Sequence, residues 1–119
     1  MTNDLEALAR RAVASHHFRW MPGMVTETGV RVLRRDTDGY TIGYGPRTSY
    51  CIMEVTSDAL PDLSDPATLG CLLAIVRKRF PNATTATDDE RWWIADMIPA
   101  LPTEATEAAA LVAALEAAP

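Results

Sequence analysis

Between residues 24 and 55 the chain alternates short β-type runs with turn signals, and this alternation constrains the fold more than any other feature. Met24-Val25-Thr26 follows Pro22-Gly23, and Thr28-Gly29 leads into Val30-Arg31-Val32-Leu33-Arg34-Arg35. Asp36-Thr37-Asp38-Gly39 then precedes Tyr40-Thr41-Ile42-Gly43-Tyr44, and Gly45-Pro46 precedes Tyr50-Cys51-Ile52-Met53-Glu54-Val55. Glycine, proline and aspartate supply the backbone angles of chain reversals, while β-branched and aromatic residues suit a pleated surface. Parallel strands need a crossover of about a dozen residues or more, and no connection here is long enough. The spacing predicts an antiparallel meander of three or four strands.

Helical signals flank the meander. Asn3 followed by Glu6 has the form of an N-cap with a carboxylate at the third helical position, and Leu5, Leu8, Ala12 and Val13 recur at helical spacing, predicting a helix over residues 4–16. Asp65 as N-cap with Pro66 at the first helical position opens a second helix reaching about Phe80, after the loop at 57–65. Its centre, Leu69 to Val76, is apolar almost all round, so another helix or another subunit is expected to cover it. Residues 82–90 read as a polar loop, and Arg91 to Ile98 as a last strand closed by Pro99 and Pro102. Thr103, with Glu104 and Glu107 in the first turn, is expected to open a final alanine-rich helix to Ala118 with a thin apolar stripe. The expected fold class is α+β: one curved antiparallel sheet of about four or five strands, helices mainly on one face, in the order α-β-β-β-(β)-α-β-α.

The 119 residues fit a single domain, 1–119, and a hydrophobic share of 48% with 23% charged residues is that of an ordinary globular chain. The opening residues lack the apolar run of a signal peptide, and no stretch approaches the roughly 20 apolar residues of a membrane span. A cytoplasmic protein with no membrane partner is expected. Net charge is −5, unevenly spread: residues 1–35 carry six Arg against three acids, and residues 80–119 carry seven acids against one Arg. Phosphate-backbone binding demands a basic surface, so nucleic acid is not an expected partner.

Catalytic and metal chemistry find little support in the residue pattern. Cys51 and Cys71 stand twenty positions apart with no second pair, and both read as buried thiols rather than a disulfide or zinc site. His16-His17 invites a metal reading, but adjacent helical residues diverge by about 100°. His16 is expected to extend the apolar helix face, and His17 to act as a cation at the helix end. Cys51 with His16 or His17 carries no nucleophile signature, and Asp88-Asp89-Glu90 lacks the alternate spacing of a calcium loop. No phosphate-binding, zinc-protease or serine-hydrolase motif occurs, so no cofactor, metal or catalytic residue is expected.

Recognition surfaces fare better. Arginine, tryptophan and methionine are enriched in interface cores, and here they cluster in His16-His17-Phe18-Arg19-Trp20-Met21-Pro22-Gly23-Met24 and in Arg91-Trp92-Trp93. Neighbouring strand residues face opposite ways, so one of Trp92 and Trp93 is expected to leave the core unless something covers it. The candidate contact residues are His17, Arg19, Trp20, Trp92 and Trp93. The strand arginines Arg31, Arg34 and Arg35 join Arg19 and Trp20 in an alternative reading, a small-ligand site of nucleotide type.

Arg19-Trp20-Met21-Pro22-Gly23-Met24, Leu60-Pro61-Asp62-Leu63-Ser64-Asp65-Pro66-Ala67-Thr68-Leu69-Gly70-Cys71-Leu72-Leu73 and Ala110-Leu111-Val112-Ala113-Ala114-Leu115-Glu116-Ala117-Ala118 together resemble a group of short bacteriophage and prophage proteins. The resemblance covers most of the chain, least at 25–56 and 82–98, and brings no catalytic residue. It implies a phage product in a bacterial cytoplasm. The leading expectation is a non-enzymatic accessory protein, homodimeric, that binds a host or phage protein, with inhibition of a defence system such as CRISPR-Cas as one form. A small-ligand binder comes second and an enzyme without a recognisable motif third.

Overall fold

A computed structural model of the protein describes residues 3–36, 39–44, 51–54, 59–97 and 100–119, with the backbone alone along 33–36, 39–44 and 51–54. Three helices and five strands follow one another: α1 (Asn3–Ala14), β1 (Arg31–Asp36), β2 (Gly39–Tyr44), β3 (Cys51–Glu54), α2 (Pro66–Arg77), β4 (Thr84–Thr87), β5 (Trp92–Ala95) and α3 (Glu107–Ala117). The class is α+β. The described strands form two antiparallel sheets, a β1-β2-β3 meander and a β4-β5 hairpin, rather than one curved sheet. β5 is met on both edges, on the second at Trp92 alone. β4 pairs one of them, and on the other the Trp92 amide donates to the Glu104 carbonyl and the Glu104 amide to the Trp92 carbonyl, each at 2.7 Å. Among the described residues the outer edge of β4 stays unpaired, and no strand of the meander joins it.

β4 falls inside the stretch expected to be a polar loop. Thr84-Thr85-Ala86-Thr87 is polar, yet threonine is β-branched and suits a pleated strand, and the Asp88-to-Arg91 turn folds it back on β5. The same Trp92–Glu104 bridge corrects the start of the last helix. It fixes Glu104 in extended geometry, so Thr106 rather than Thr103 is the N-cap, its hydroxyl accepting from the Ala109 amide at 3.1 Å. Thr103 is instead held by Arg91, whose guanidinium donates to its carbonyl and its hydroxyl.

The roles expected of the last two helices are partly exchanged. α3 is the central element: Ala108, Ala110, Leu111, Val112, Ala114 and Leu115 are buried over rather more than half of its circumference, and the helix packs against α1, α2 and the hairpin. Its alanines let these neighbours approach closely, which is why a helix with little apolar bulk sits in the middle. α2 buries Thr68, Leu72, Ile75 and Val76 and exposes Ala67, Gly70 and Ala74. The apolar face of α2 that called for a covering helix or subunit is met by α3 of the same chain.

Met24-Val25-Thr26 makes isolated bridges instead of a strand, Val25 to Arg31 and Thr26 to Pro61. Pro61 brings no amide, and the Val25 amide donates to the Thr68 hydroxyl of α2 at 3.0 Å. The meander is rooted here. Gly23 donates to the Val32 carbonyl at 2.9 Å, Val32 donates to the Met24 carbonyl at 2.8 Å, and both Met24 and Val32 are buried. Gly23 and Gly29, at φ +101° and +85°, occupy the left-handed region that the two predicted turns require. The β1–β2 register shifts between Val32 and Arg34. The Gly45-Pro46 turn, Tyr50, Val55, Ile98 and Pro99 lie outside the described residues.

Candidate functional site

The segment after α1 is built as a junction between helices. α1 ends at Ala14, two residues short of the expected end, so His16 and His17 lie in a turn beyond it. The divergence of adjacent helical residues therefore does not apply, and the two rings stand with centroids 4.0 Å apart. Their neighbours belong to the end of α3. The Ser15 hydroxyl donates to the Leu115 carbonyl at 3.5 Å, His17 Nε2 donates to the Ala118 carbonyl at 3.0 Å, and Arg11 pairs with Glu116. Terminal helix carbonyls have no partner within their own helix, and these side chains supply donors for two of them. His17 thus caps α3, not α1. His16 is exposed rather than part of an apolar face.

Arg11, Ala14, Ser15, His16 and Glu116 line an open depression of about 240 Å³ beside this junction. Ligand pockets usually run from about 300 to 1,000 Å³ and are enclosed by apolar walls. The hydrogen bond to Glu116 holds the Arg11 guanidinium firmly charged, and its charge is spent within the pair. Among the described residues, no three His, Cys, Asp or Glu side chains group to hold a metal ion.

Past the histidines the chain runs without regular secondary structure to the Pro22-Gly23 turn. Phe18 and Trp20 pack edge to face, ring centroids 5.5 Å apart and planes at 82°, and both lean on the core. Arg19 lies between them in sequence, half-buried, and makes no hydrogen bond or ion pair with any described residue. The Trp20 indole N–H likewise has no described partner. Among the described residues no buried side-chain polar atom is left unbonded, so that N–H is open to solvent. An unpaired guanidinium between two aromatics in sequence, with a free indole donor, is equipped to meet an acidic or aromatic group.

The other candidates separate from it. Arg31 is exposed but engaged: Nη1 donates to the Gly23 carbonyl at 2.6 Å, and Nη2 lies 3.8 Å from Asp65 Oδ1. It ties the turn to the N-terminus of α2. The side chains of Arg34 and Arg35 lie outside the described residues. Trp92 packs against the core on the same strand face as buried Ile94, whereas Trp93 shares the opposite face with Ala86 and Ala95 and is half-buried. That answers which tryptophan leaves the core.

Cys71 is half-exposed, not buried as expected, and its thiol donates to the Pro22 carbonyl at 3.6 Å. Desolvation, with Asp65 adding and Arg31 opposing, pushes this thiol above the ordinary range, away from nucleophilic character. Asp88-Asp89-Glu90 is the exposed hairpin tip, where Asp88 accepts from the Glu90 and Arg91 amides. What the sequence did not indicate was Ser15 and His17 as a cap on a helix a hundred residues away, since nothing local announces a tertiary cap. No helix among the described residues is long and apolar enough to cross a membrane. Comparison with protein families, with curated proteins and with solved structures finds no match to this chain.

Proposed function

We propose that the protein is a non-enzymatic accessory protein of bacteriophage type that acts in the cytoplasm of a bacterial host by binding a host or phage protein. Inhibition of a defence complex such as CRISPR-Cas is one form this would take. The observation that carries the reading is Arg19: a half-buried residue whose guanidinium has no partner among the described residues, flanked in sequence by the Phe18–Trp20 pair. A guanidinium with all its donors unpaired can meet a partner carboxylate or carbonyl without first breaking a bond within its own chain. The resemblance of the Arg19-to-Met24 stretch and of the 60–73 stretch to phage proteins supports the biological setting.

The nucleotide-type alternative loses a contributor, because Arg31 is occupied by Gly23 and Asp65. The depression beside Arg11 does not reach Arg19 or Trp20. Affinity capture from host lysate, comparing the wild type with Arg19→Glu and with His16→Ala, tests the proposal. The wild type and His16→Ala should retain one defined protein that Arg19→Glu loses while keeping its melting temperature. An empty capture, together with stabilisation by nucleotides, would overturn it.

A further inference from the structure

Among the described residues, the hairpin presents a free, unguarded strand edge. Trp92 turns its amide and carbonyl towards Glu104 and away from β4, so its cross-strand neighbour Thr87 turns its own amide and carbonyl outward. By the strand alternation Thr85 does the same, while Ala86 faces Trp93 across the ladder. Thr85 and Thr87 make no other backbone hydrogen bond among the described residues. Exposed edges are usually blunted by lysine, proline or a bulge, and Thr84-Thr85-Ala86-Thr87 carries none of these.

We infer that this edge pairs with the same edge of a second copy of the chain, antiparallel, about a two-fold axis at Ala86. Two features select a second copy over an unrelated strand. First, the edge is self-complementary. With Ala86 opposite Ala86 of the second copy, Thr85 meets Thr87 of that copy and Thr87 meets its Thr85. Both are outward-facing residues, and each such pair exchanges two hydrogen bonds. The joined hairpins form a four-stranded sheet whose outer face carries Trp93, Ala86, Ala86 and Trp93 in one row.

Second, the charges at the two ends match. Continuing the register carries the acidic tip Asp88-Asp89-Glu90 past Thr84, Ala83 and Asn82 of the other copy. There Arg77 donates to the Ala83 carbonyl at 2.7 Å, and Lys78 and Arg79 are exposed at the same end of α2. An acidic tip meets a basic helix end twice, once at each end of the interface. Parallel or shifted pairings forfeit this match, so charge fixes orientation while the backbone supplies attachment. The inference does not depend on Arg19, and its failure would leave the proposed contact surface standing.

Sedimentation velocity with the full chain, over micromolar to hundred-micromolar concentrations, should give a species of twice 13.0 kDa. Thr85→Pro removes only an outward amide, a change that edge strands tolerate, and should give a monomer with an unchanged far-ultraviolet spectrum. Ala86→Cys in a Cys51→Ser, Cys71→Ser background supplies a second readout. Facing Cα atoms at a non-hydrogen-bonded pair lie about 4.5 Å apart, within disulfide range. Mild oxidation should convert this variant to a covalent dimer, while Thr84→Cys in the same background should not cross-link. Asp89→Arg should raise the dimer dissociation constant severalfold, and adding Arg79→Glu should recover it. A wild type that stays monomeric throughout, or a dimer in which Ala86→Cys fails to cross-link, overturns the inference.

Discussion

His17 Nε2 lies 3.0 Å from the carbonyl oxygen of Ala118, so the turn after the first helix closes the end of the last one. Together with Ser15 on the Leu115 carbonyl, it joins two elements about a hundred residues apart in sequence. His17→Ala leaves the Ala118 carbonyl without its donor, and a hydrogen bond of this kind contributes about 0.5–1.5 kcal/mol. The melting temperature should fall by about 2–9 °C for a domain of this size. His16→Ala, at an exposed ring, should leave it within about a degree, and differential scanning calorimetry compares the two.

Thr68 is fully buried and works in three directions. Its hydroxyl accepts from the Val25 amide at 3.0 Å and donates to Asp65 Oδ2 at 3.0 Å, while its own amide donates to Asp65 Oδ2 at 2.9 Å. Thr68→Val preserves shape but strands a buried amide and part of the Asp65 cap, at a cost of about 1–3 kcal/mol. Thr68→Ser keeps the hydroxyl and should lose less than half as much, measured by urea unfolding. A valine variant as stable as the wild type would show that the link between the meander root and α2 carries no stability.

Asp88 accepts from the backbone amides of Arg91 and Glu90, which hold its carboxyl below the ordinary value of 3.8. A depressed folded pKa means that these bonds contribute stability above the unfolded value and lose it as pH falls through the folded one. The hairpin tip should therefore remain intact at pH 5 and loosen below about pH 4. The Asp88 carboxyl carbon followed by NMR should titrate below 3.8, and Asp88→Ala should remove the pH dependence of the protection factors of the Glu90 and Arg91 amides through that window.

Burial first, then Asp65, raises the Cys71 thiol above its ordinary value, with Arg31 opposing. The neutral thiol is the favoured form, so the site is undisturbed below the unfolded value of 9.0 and loses stability as pH rises through the higher folded one. At pH 8 iodoacetamide should modify Cys71 severalfold more slowly than a small free thiol. Arg31→Ala removes the opposing charge and should slow it further.

Much of the local structure was legible because its causes are local. Asp65-Pro66 states its own cap and first turn, and Gly23 and Gly29 sit where positive φ is needed. The three meander strands follow from turns within a few residues of each other. What escaped the sequence is set by contacts distant along the chain. That Glu104 bridges β5 at Trp92 is set by residues twelve positions apart, and the place of α3 at the centre is decided by what its alanines admit. At the candidate site, Arg19 and Trp20 were identifiable from residue type. That Arg31 is occupied and His17 caps a distant helix became visible only when Gly23, Asp65 and Ala118 were placed around them.

The central claim, that Arg19 anchors a protein partner, is tested most directly by the affinity of the captured and purified partner for two variants. Calorimetric titration should show Arg19→Glu weakening the complex at least tenfold, about 1.4 kcal/mol, while His16→Ala binds as the wild type does. Equal affinity for Arg19→Glu and the wild type would contradict the claim and remove this surface from the account.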